Sequence, residues 1–357
     1  MAEQKLRFAA LQSDRLVPLL NHDAVKVGFL EQLHSLHTTQ AYRVLGRLLR
    51  VDSVGGSGGA LSDYDGHDEI WLHATAPVAS LPPPGSDCSS HLRAGFWGCI
   101  DFIVLLSVFD ANGTTRTSDG VEVRVVINSG QNASKQTSED FARFASALSR
   151  LHGGPLFFMG VDDYLFDEIN VAKKYYQSSC DNYSMDAREW HGSARPIPFE
   201  QTEAALGLGL EFSQLTIEDL QVVQERNKIQ YDVEYLQFCL SLSTCIRRRS
   251  DGALVAWGLA HGDFQFGCMH TVPEYRRRGL ARYIVYDLGD KIVDAFTKQM
   301  REVYHSGAAT GSQQPVEHRF ALQLSIEDYN EQSRGLFGSI GFKPAARVSW
   351  SKCDVAA

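Results

Sequence analysis

The sequence predicts a mixed α/β protein built from two domains, residues 1–195 and 210–357. Its 357 residues exceed what one hydrophobic core usually serves, so two domains are expected. Runs of β-branched and aromatic residues alternate with segments of helical periodicity on both sides of a break. The break lies between about 178 and 210, where periodicity lapses into a stretch with glycine and two prolines, and it predicts a linker.

The first domain opens with a predicted helix over 23–50, where leucines recur at three- and four-residue spacing until GGSGG at 55–59. A second helix is predicted over Phe141–Leu151, because Gly153 and Gly154 follow it. The remaining predictions are strands at 71–75, 102–109 and 121–127, a loop at 82–85, a short strand near 155–160 and a helical stretch over 162–177.

The second domain opens at Thr216, which stands three residues before Asp219 and resembles a capping box. Ser250, Asp251 and Gly252 predict a turn between two strands. The other predicted elements are helices over 216–228 and 233–242, strands at 243–249, 253–261, 266–272, 320–326 and 346–350, a helix from 280, and a mobile surface loop at 301–318.

Composition excludes several classes of protein. The chain is 44% hydrophobic and 22% charged and has no run of eighteen apolar residues, which argues against a membrane-spanning or disordered chain. A formal net charge of -9 argues against nucleic acid as a partner. Seven scattered cysteines without a C-x-x-C pair argue against a metal site or a disulfide framework. The N-terminus lacks a secretory signal, so a cytoplasmic protein is expected.

One basic turn carries chemistry. Arg276, Arg277, Arg278 and Gly279 follow a predicted strand and lead into a helix that begins with Leu280 and Ala281 and carries an apolar stripe. The first backbone N–H groups of a helix have no partner within the helix and lie at the positive end of its dipole, so they can bind a pyrophosphate. Arginines add charge-assisted hydrogen bonds, and glycine lets a phosphate approach the backbone. The alternative is a solvated basic turn before a core helix.

A second signature follows about 50 residues later. After a predicted strand come Asn330, Ser333, Phe337 and then Gly341 and Phe342, leading to a final strand. Together with the basic turn, this order resembles the GNAT acyltransferase superfamily. The resemblance implies a GNAT fold in the C-terminal half, with a mixed, centrally splayed sheet flanked by helices. It also implies acetyl-CoA or another acyl-CoA as co-substrate.

Within that superfamily, residues 212–290 are most similar to the glycine N-acyltransferases. The resemblance lies in the block STCIRRRSDGALVAWGLAHGDFQFGCMHTVPEYRRRGLARYIVY. That family has an N-terminal domain of similar size, so residues 1–195 are a candidate for a degenerate GNAT-like half. The family also leaves a mitochondrial location open, although Glu3 and Asp14 are unlike a mitochondrial presequence.

The resemblance assigns roles to residues of this chain. The turn from Arg276 to Ala281 would hold the pyrophosphate. Asn330 would bond the end of the pantetheine; the alternative role is that of a helix cap alone. Ser333 would lie near the departing thiol. The strand-edge backbone groups offered to the pantetheine arm are those of Met269, His270, Thr271 and Val272.

The general base departs from the family pattern. A glutamate is expected on the strand before the Pro-Glu-Tyr-Arg segment, but this chain has Gln265, whose amide cannot accept a proton. Asp263 lies two residues earlier on the same strand face and is the first substitute. His270 and His261 are the next candidates; the alternative for His270 is a hydrogen-bonded histidine in the core or at the strand end. Phe337 stands where many GNAT enzymes place a thiol-protonating tyrosine.

Three functions remain open from the sequence. The first is transfer of an acyl group from acyl-CoA to a small-molecule amine such as glycine or another amino acid. The second is acetylation of a protein or peptide, whose N-terminal amine needs little base because its pKa is near 8. The third is a CoA-binding module without catalysis, which the combination of Gln265 and Phe337 favours.

Overall fold

The structure is a computed structural model of the chain. It describes residues 16–18, 68–74, 100–107, 121–127, 134–229, 231, 233–306 and 320–356. The predicted helix at 23–50 and the predicted loops at 55–59 and 82–85 lie outside these residues.

The described part of the chain contains both strands and helices. The strands are β1 (Leu16–Pro18), β2 (Asp68–Ala74), β3 (Ile100–Ser107), β4 (Val121–Ile127), β5 (Leu156–Asp162), β6 (Val171–Asp186), β7 (Leu210–Ser213), β8 (Ser243–Arg248), β9 (Leu254–Ala260), β10 (Phe266–Thr271), β11 (Ala321–Glu327) and β12 (Lys343–Val355). The helices are α1 (Lys135–His152), α2 (Asp163–Phe166), α3 (Ala187–Gly192), α4 (Phe199–Leu206), α5 (Leu220–Arg226), α6 (Val233–Cys239), α7 (Leu280–Ser306) and α8 (Glu331–Ile340).

The strands form two sheets that splay apart in the C-terminal half. One sheet has the order β10-β9-β8-β7, and the other has the order β1-β2-β3-β4-β5-β12-β6-β11. The two sheets meet at a parallel bridge between Gln265, just before β10, and Gln323 of β11. Beyond that bridge β10 and β11 separate, so the mixed, centrally splayed sheet predicted from the sequence is confirmed.

The two halves of the chain exchange their last strands. β6, from the N-terminal half, lies between β11 and β12, and β12 lies between β5 and β6. β12 pairs with β6 from Lys343↔Ser184 to Val355↔Val171, and it also pairs with β5 from Val348↔Asp162 to Cys353↔Leu156. The order strand, helix, strand, helix, long strand occurs in both halves, as β4-α1-β5-α2-β6 and as β10-α7-β11-α8-β12. The predicted α/β character of the N-terminal half is therefore confirmed.

Separate apolar clusters cover the two sheets. In the N-terminal half, α1 packs through Phe141 and Leu148 against β4, β5 and the end of β12. In the C-terminal half, α5 and α6 cover one face of the four-stranded sheet, and the start of α7 covers the other. Trp190 of α3 stacks on Tyr286 of α7 at 5.0 Å between ring centroids. A Cβ at Gly289 would lie 2.4 Å from the Trp190 ring, so this contact requires glycine.

Most local predictions hold, and three are wrong. The Thr216–Asp219 capping box is present, the predicted strand at 121–127 is β4, and α1 begins six residues before the predicted start, with Ser134 as its cap. The predicted helix over 162–177 is wrong, because only α2 is helical and β6 begins at Val171. The predicted linker contains the end of β6, α3 and α4. The loop predicted at 301–318 starts too early, because α7 continues to Ser306.

Candidate functional site

The basic turn and the start of α7 form an exposed, cationic helix N-terminus. After β10, a 3₁₀ turn over Pro273–Tyr275 leads to Arg276, and α7 begins at Leu280. Arg277 and Gly279 have left-handed backbones, with φ of 63° and 80°. A Cβ built on Gly279 meets no atom within 4 Å, so the space in front of this residue is open. The backbone here can approach a phosphate closely.

The side chains of the turn divide into two groups. Arg276 Nε donates to the carbonyl oxygen of Thr271 at 2.9 Å and holds the turn against the end of β10. Arg277 and Arg278 are exposed. Leu280 is buried among the side chains between α7 and the sheet, so it can offer a ligand only its backbone. The arrangement fits a pyrophosphate group, because exposed guanidinium groups stand beside free helix N–H groups.

β10 carries a bulge beside the splay, which is the gap where β10 and β11 separate. Its register with β9 shifts between Gly267 and His270, and Cys268 has a left-handed φ of 48°. β10 is also the edge strand of its sheet on the side that faces β11. Backbone groups of Met269 to Thr271 on this edge are placed to bond an extended ligand. The N–H of Val272 is already used, since it donates to Val255 at 2.9 Å.

Asp263 lies in a turn before β10 and not on the strand face predicted for it, because Phe264, with a left-handed φ of 62°, interrupts the extended backbone. Gln265 and Asp263 nevertheless form a buried chain of hydrogen bonds. Gln265 Nε2 donates to Asp263 Oδ2 at 2.7 Å, and the backbone N–H of Gln265 points to Asp263 Oδ1 at 3.4 Å. Ser325 Oγ of β11 donates to Gln265 Oε1 at 3.2 Å. The amide of Gln265 thus links the Asp263 carboxylate to β11 at the point where the sheets begin to separate.

His270 and His261 lie in different surroundings. The His270 ring stacks on Trp257 at 4.7 Å, and its Nε2 atom is buried without a hydrogen-bond partner among the described residues. Burial, with Arg276 and Arg226 nearby, holds the pKa of His270 below its usual value, so the ring is neutral near pH 7. His261 Nδ1 lies 2.9 Å from the hydroxyl of Tyr235, whose pKa burial raises well above its usual value.

Asn330 is the cap of α8. Its Oδ1 atom accepts a hydrogen bond of 3.1 Å from the backbone N–H of Ser333, as a capping asparagine does. Ser333 is half-buried in the first turn of this helix. Phe337 is buried and packs against Phe266 of β10 at 5.5 Å, so an aromatic contact occupies the place where the resemblance expects a tyrosine.

A polar face that the sequence did not predict lies where β6 and β11 pair, next to Gln265. The polar face consists of Gln265, Ser325, Glu327, Ser178 and Asn182. Ser325 faces Gln265, Glu327 follows two residues later on the same side of β11, and Asn182 of β6 pairs with Ser325. Ser178 Oγ donates to Glu327 Oε1 at 3.1 Å. Both halves of the chain therefore contribute to this face.

Within the described part of the chain, no group of three or more histidine, cysteine, aspartate or glutamate side chains could hold a metal ion. None of the described helices is both long and apolar enough to cross a membrane.

Among known proteins, the chain is similar to solved structures. No family model and no curated protein matches the chain. An X-ray structure of a Drosophila protein from a structural genomics consortium matches 96% of this chain and 99% of its own, with a TM-score of 0.61 and 14% identity. The two chains share a fold. In the C-terminal half, this fold places a bulged strand, a basic turn and a helix beside a splay.

Two other solved structures are named as GNAT proteins. A tandem GNAT protein from the clavulanic acid biosynthesis pathway matches 94% of this chain and 97% of its own, with a TM-score of 0.49 and 11% identity. A GCN5-related N-acetyltransferase from Sphaerobacter thermophilus matches 97% of both chains, with a TM-score of 0.47 and 10% identity.

Proposed function

We propose that this protein is an N-acyltransferase that moves an acyl group from acetyl-CoA or another acyl-CoA to the amine of a small acceptor. The observation that carries the proposal is the exposed turn from Arg276 to Gly279 at the start of α7, next to the open, bulged edge of β10. A helix N-terminus with two exposed arginines suits a pyrophosphate, and an open strand edge suits an amide-containing arm.

In this proposal the acyl-CoA donor lies in the gap between β10 and β11. The pyrophosphate binds the backbone N–H groups of Gly279, Leu280 and Ala281 and the guanidinium groups of Arg277 and Arg278. The pantetheine arm follows the edge of β10 toward the bulge at Cys268. The thioester then lies between β10 and β11, where Ser333 at the start of α8 is placed near the departing sulfur.

The acceptor approaches from the polar face. A neutral amine attacks the thioester carbon, and the tetrahedral intermediate then expels the thiolate. Backbone N–H groups at the bulge of β10 are placed to bond the oxyanion. For an amine whose pKa lies three units above the working pH, deprotonation costs about 4 kcal/mol, so a proton acceptor contributes.

His270 is the proton acceptor that the geometry supports best. Both oxygens of Asp263 face donors of Gln265, whereas His270 Nε2 is buried without a partner among the described residues. Its lowered pKa keeps the imidazole in the form that accepts a proton at neutral pH. Asp263 then orients Gln265, and His261 is tied to Tyr235.

A small amine such as glycine or another amino acid is the acceptor that the resemblance to glycine N-acyltransferases supports. A protein or peptide amine is the alternative within the same chemistry. A CoA-binding module without turnover is the second candidate function. The combination of Gln265 and Phe337 favours it, because neither residue can transfer a proton.

Product analysis separates these functions. The full chain is incubated with acetyl-CoA, benzoyl-CoA or a medium-chain acyl-CoA and with amino acids, polyamines or peptides, and N-acylated products are detected by mass spectrometry. An N-acyl amino acid or polyamine supports the proposal, and an acylated peptide supports the alternative. Calorimetric binding of acetyl-CoA without any product supports the binding module, and absence of both overturns all three.

A further inference from the structure

Glu327 stands at the end of β11 in a cluster that joins both halves of the chain. Lys228, from the segment between α5 and α6, places Nζ 2.8 and 3.0 Å from the two carboxylate oxygens of Glu327. Ser178 of β6 donates to Oε1, and the hydroxyl of Tyr329 donates to Oε2. The ammonium group of Lys228 also lies over the ring of Tyr329, 4.4 Å from its centroid.

The cluster lies at one end of the polar face. Glu327 is two residues beyond Ser325 on one face of β11, a distance of about 7 Å along the strand. The Glu327 side chain is 20% exposed and that of Lys228 is 65% exposed. Solvent therefore reaches the ion pair, and the polar face continues from it to Gln265 beneath the splay.

A second observation points to a ligand on the same face. Asn182 is fully buried and pairs with Ser325 across the strands, and neither its amide oxygen nor its amide nitrogen has a partner among the described residues. Gln323 Oε1, near the sheet bridge, is also without a partner there. A buried polar group left unpaired is destabilising, so a ligand or water that bonds these atoms is stabilised.

The ion pair of Lys228 and Glu327 presents one ammonium and one carboxylate group, which are the two charged groups of a free α-amino acid. An ion pair that solvent reaches contributes little to stability, so a ligand can replace one of its partners at little cost. The ammonium group of an α-amino acid can take the place of the Lys228 ammonium beside Glu327 and Ser178. Its carboxylate can take the place of the Glu327 carboxylate beside the exposed Lys228 ammonium group.

We propose that Lys228 and Glu327, with Ser178 of the N-terminal half, bind the two charges of a free α-amino acid as the acceptor. The inference rests on the proposed function, because the acceptor is acylated at the same splay. It gives the N-terminal half a part in the site, since β6 supplies Ser178 and Asn182. A one-charge analogue that keeps only the amine loses the contact with Lys228.

Ligand-observed NMR on the full chain tests this inference without any turnover. The probes are glycine, L-alanine, L-glutamine and L-phenylalanine, each compared with its amide. At least one amino acid is expected to bind at least ten times more tightly than its amide. Lys228→Met is expected to remove that difference, whereas Glu327→Gln, which removes the partner of the ammonium group, is expected to weaken binding of the amino acid and of its amide alike. Lys343→Met is the matched control, because Lys343 forms an exposed ion pair with Glu189 on the surface.

Two outcomes would overturn the inference. Either none of the four amino acids binds, or Lys228→Met binds the amino acid as tightly as the unaltered protein does. Calorimetry with acetyl-CoA is run on the same samples. If the unaltered protein binds acetyl-CoA but none of the amino acids, this acceptor site alone is rejected. If the unaltered protein does not bind acetyl-CoA, the proposed function is rejected.

Discussion

The buried carboxylate of Asp263 accepts a hydrogen bond of 2.7 Å from the side-chain amide of Gln265. This bond needs a donor at residue 265, and a glutamate there would place two carboxylates in contact. Two such groups cannot both ionise without a large cost, so the pKa of one of them rises. The identity of residue 265 therefore decides whether this pair carries a proton.

The Gln265→Glu variant is expected to have a stability that depends on pH. A carboxyl group whose folded pKa is raised keeps its full stability below the unfolded pKa near 4.3 and loses it as pH rises through the folded pKa. Urea unfolding at pH 4 and pH 8 is expected to show a further loss at pH 8 of about 3 kcal/mol relative to the unaltered protein. An equal stability difference at both pH values would contradict the pairing.

Gly279→Glu is expected to abolish acetyl-CoA binding, because its side chain and negative charge would occupy the place of the pyrophosphate. Gly252→Glu is the matched control, since Gly252 also has a left-handed φ, 71° against 80°, and open space around it. Both variants are expected to lose about 1–2 kcal/mol of stability from backbone strain. Calorimetry that shows equal acetyl-CoA affinity in the two variants would remove the turn as the phosphate site.

Asn330→Asp separates a cap from a ligand contact. Aspartate keeps the oxygen that accepts from the Ser333 N–H, so stability should change by less than about 0.5 kcal/mol, whereas Asn330→Ala should lose about 1 kcal/mol. If the amide nitrogen bonds the pantetheine, Asn330→Asp weakens acetyl-CoA binding despite the intact cap. Unchanged affinity in Asn330→Asp would leave capping as the duty of this side chain.

His270→Phe is expected to lessen the acid sensitivity of the protein. Because the folded pKa of His270 is lowered, the unfolded chain binds more protons below pH 6.5, and stability is lost as pH falls through that window. Phenylalanine keeps a ring for Trp257 and removes the titration. Chemical unfolding at pH 7 and pH 5 measures the change. His191→Phe, at an exposed site, is the control, and an equal effect of both variants would contradict a buried neutral His270.

The exchanged strands predict that the halves fold together. Residues 199–357 produced alone would leave β12 without β5 and β6, and β11 without β6. Exposed edges of this length promote aggregation, so this fragment should show no cooperative unfolding. Co-expression with residues 1–198 should restore one transition, monitored by circular dichroism. A soluble, cooperatively folded fragment would show that the exchange is dispensable.

Local patterns predicted those elements that depend on residues close together in the sequence. β4 alternates apolar and polar residues, Thr216 and Asp219 bond each other, and the basic turn directly precedes α7. The sequence did not predict β6 or the polar face. Residues 172–177 of β6 are exposed, and β12, which holds them, comes more than 160 residues later. Ser178 meets Glu327 through the pairing of β6 with β11, which is also long-range, and Lys228 reaches Glu327 from a segment 99 residues earlier.

Release of free thiol from acyl-CoA tests the central claim most directly. The full chain is assayed with acetyl-CoA, benzoyl-CoA and a medium-chain acyl-CoA, each with and without a mixture of amino acids. Amine-dependent thiol release is expected with at least one donor, with loss in Gly279→Glu and retention in Gly252→Glu. No amine-dependent release from any donor, in protein that calorimetry shows to bind acetyl-CoA, would contradict an N-acyltransferase that uses amino acids.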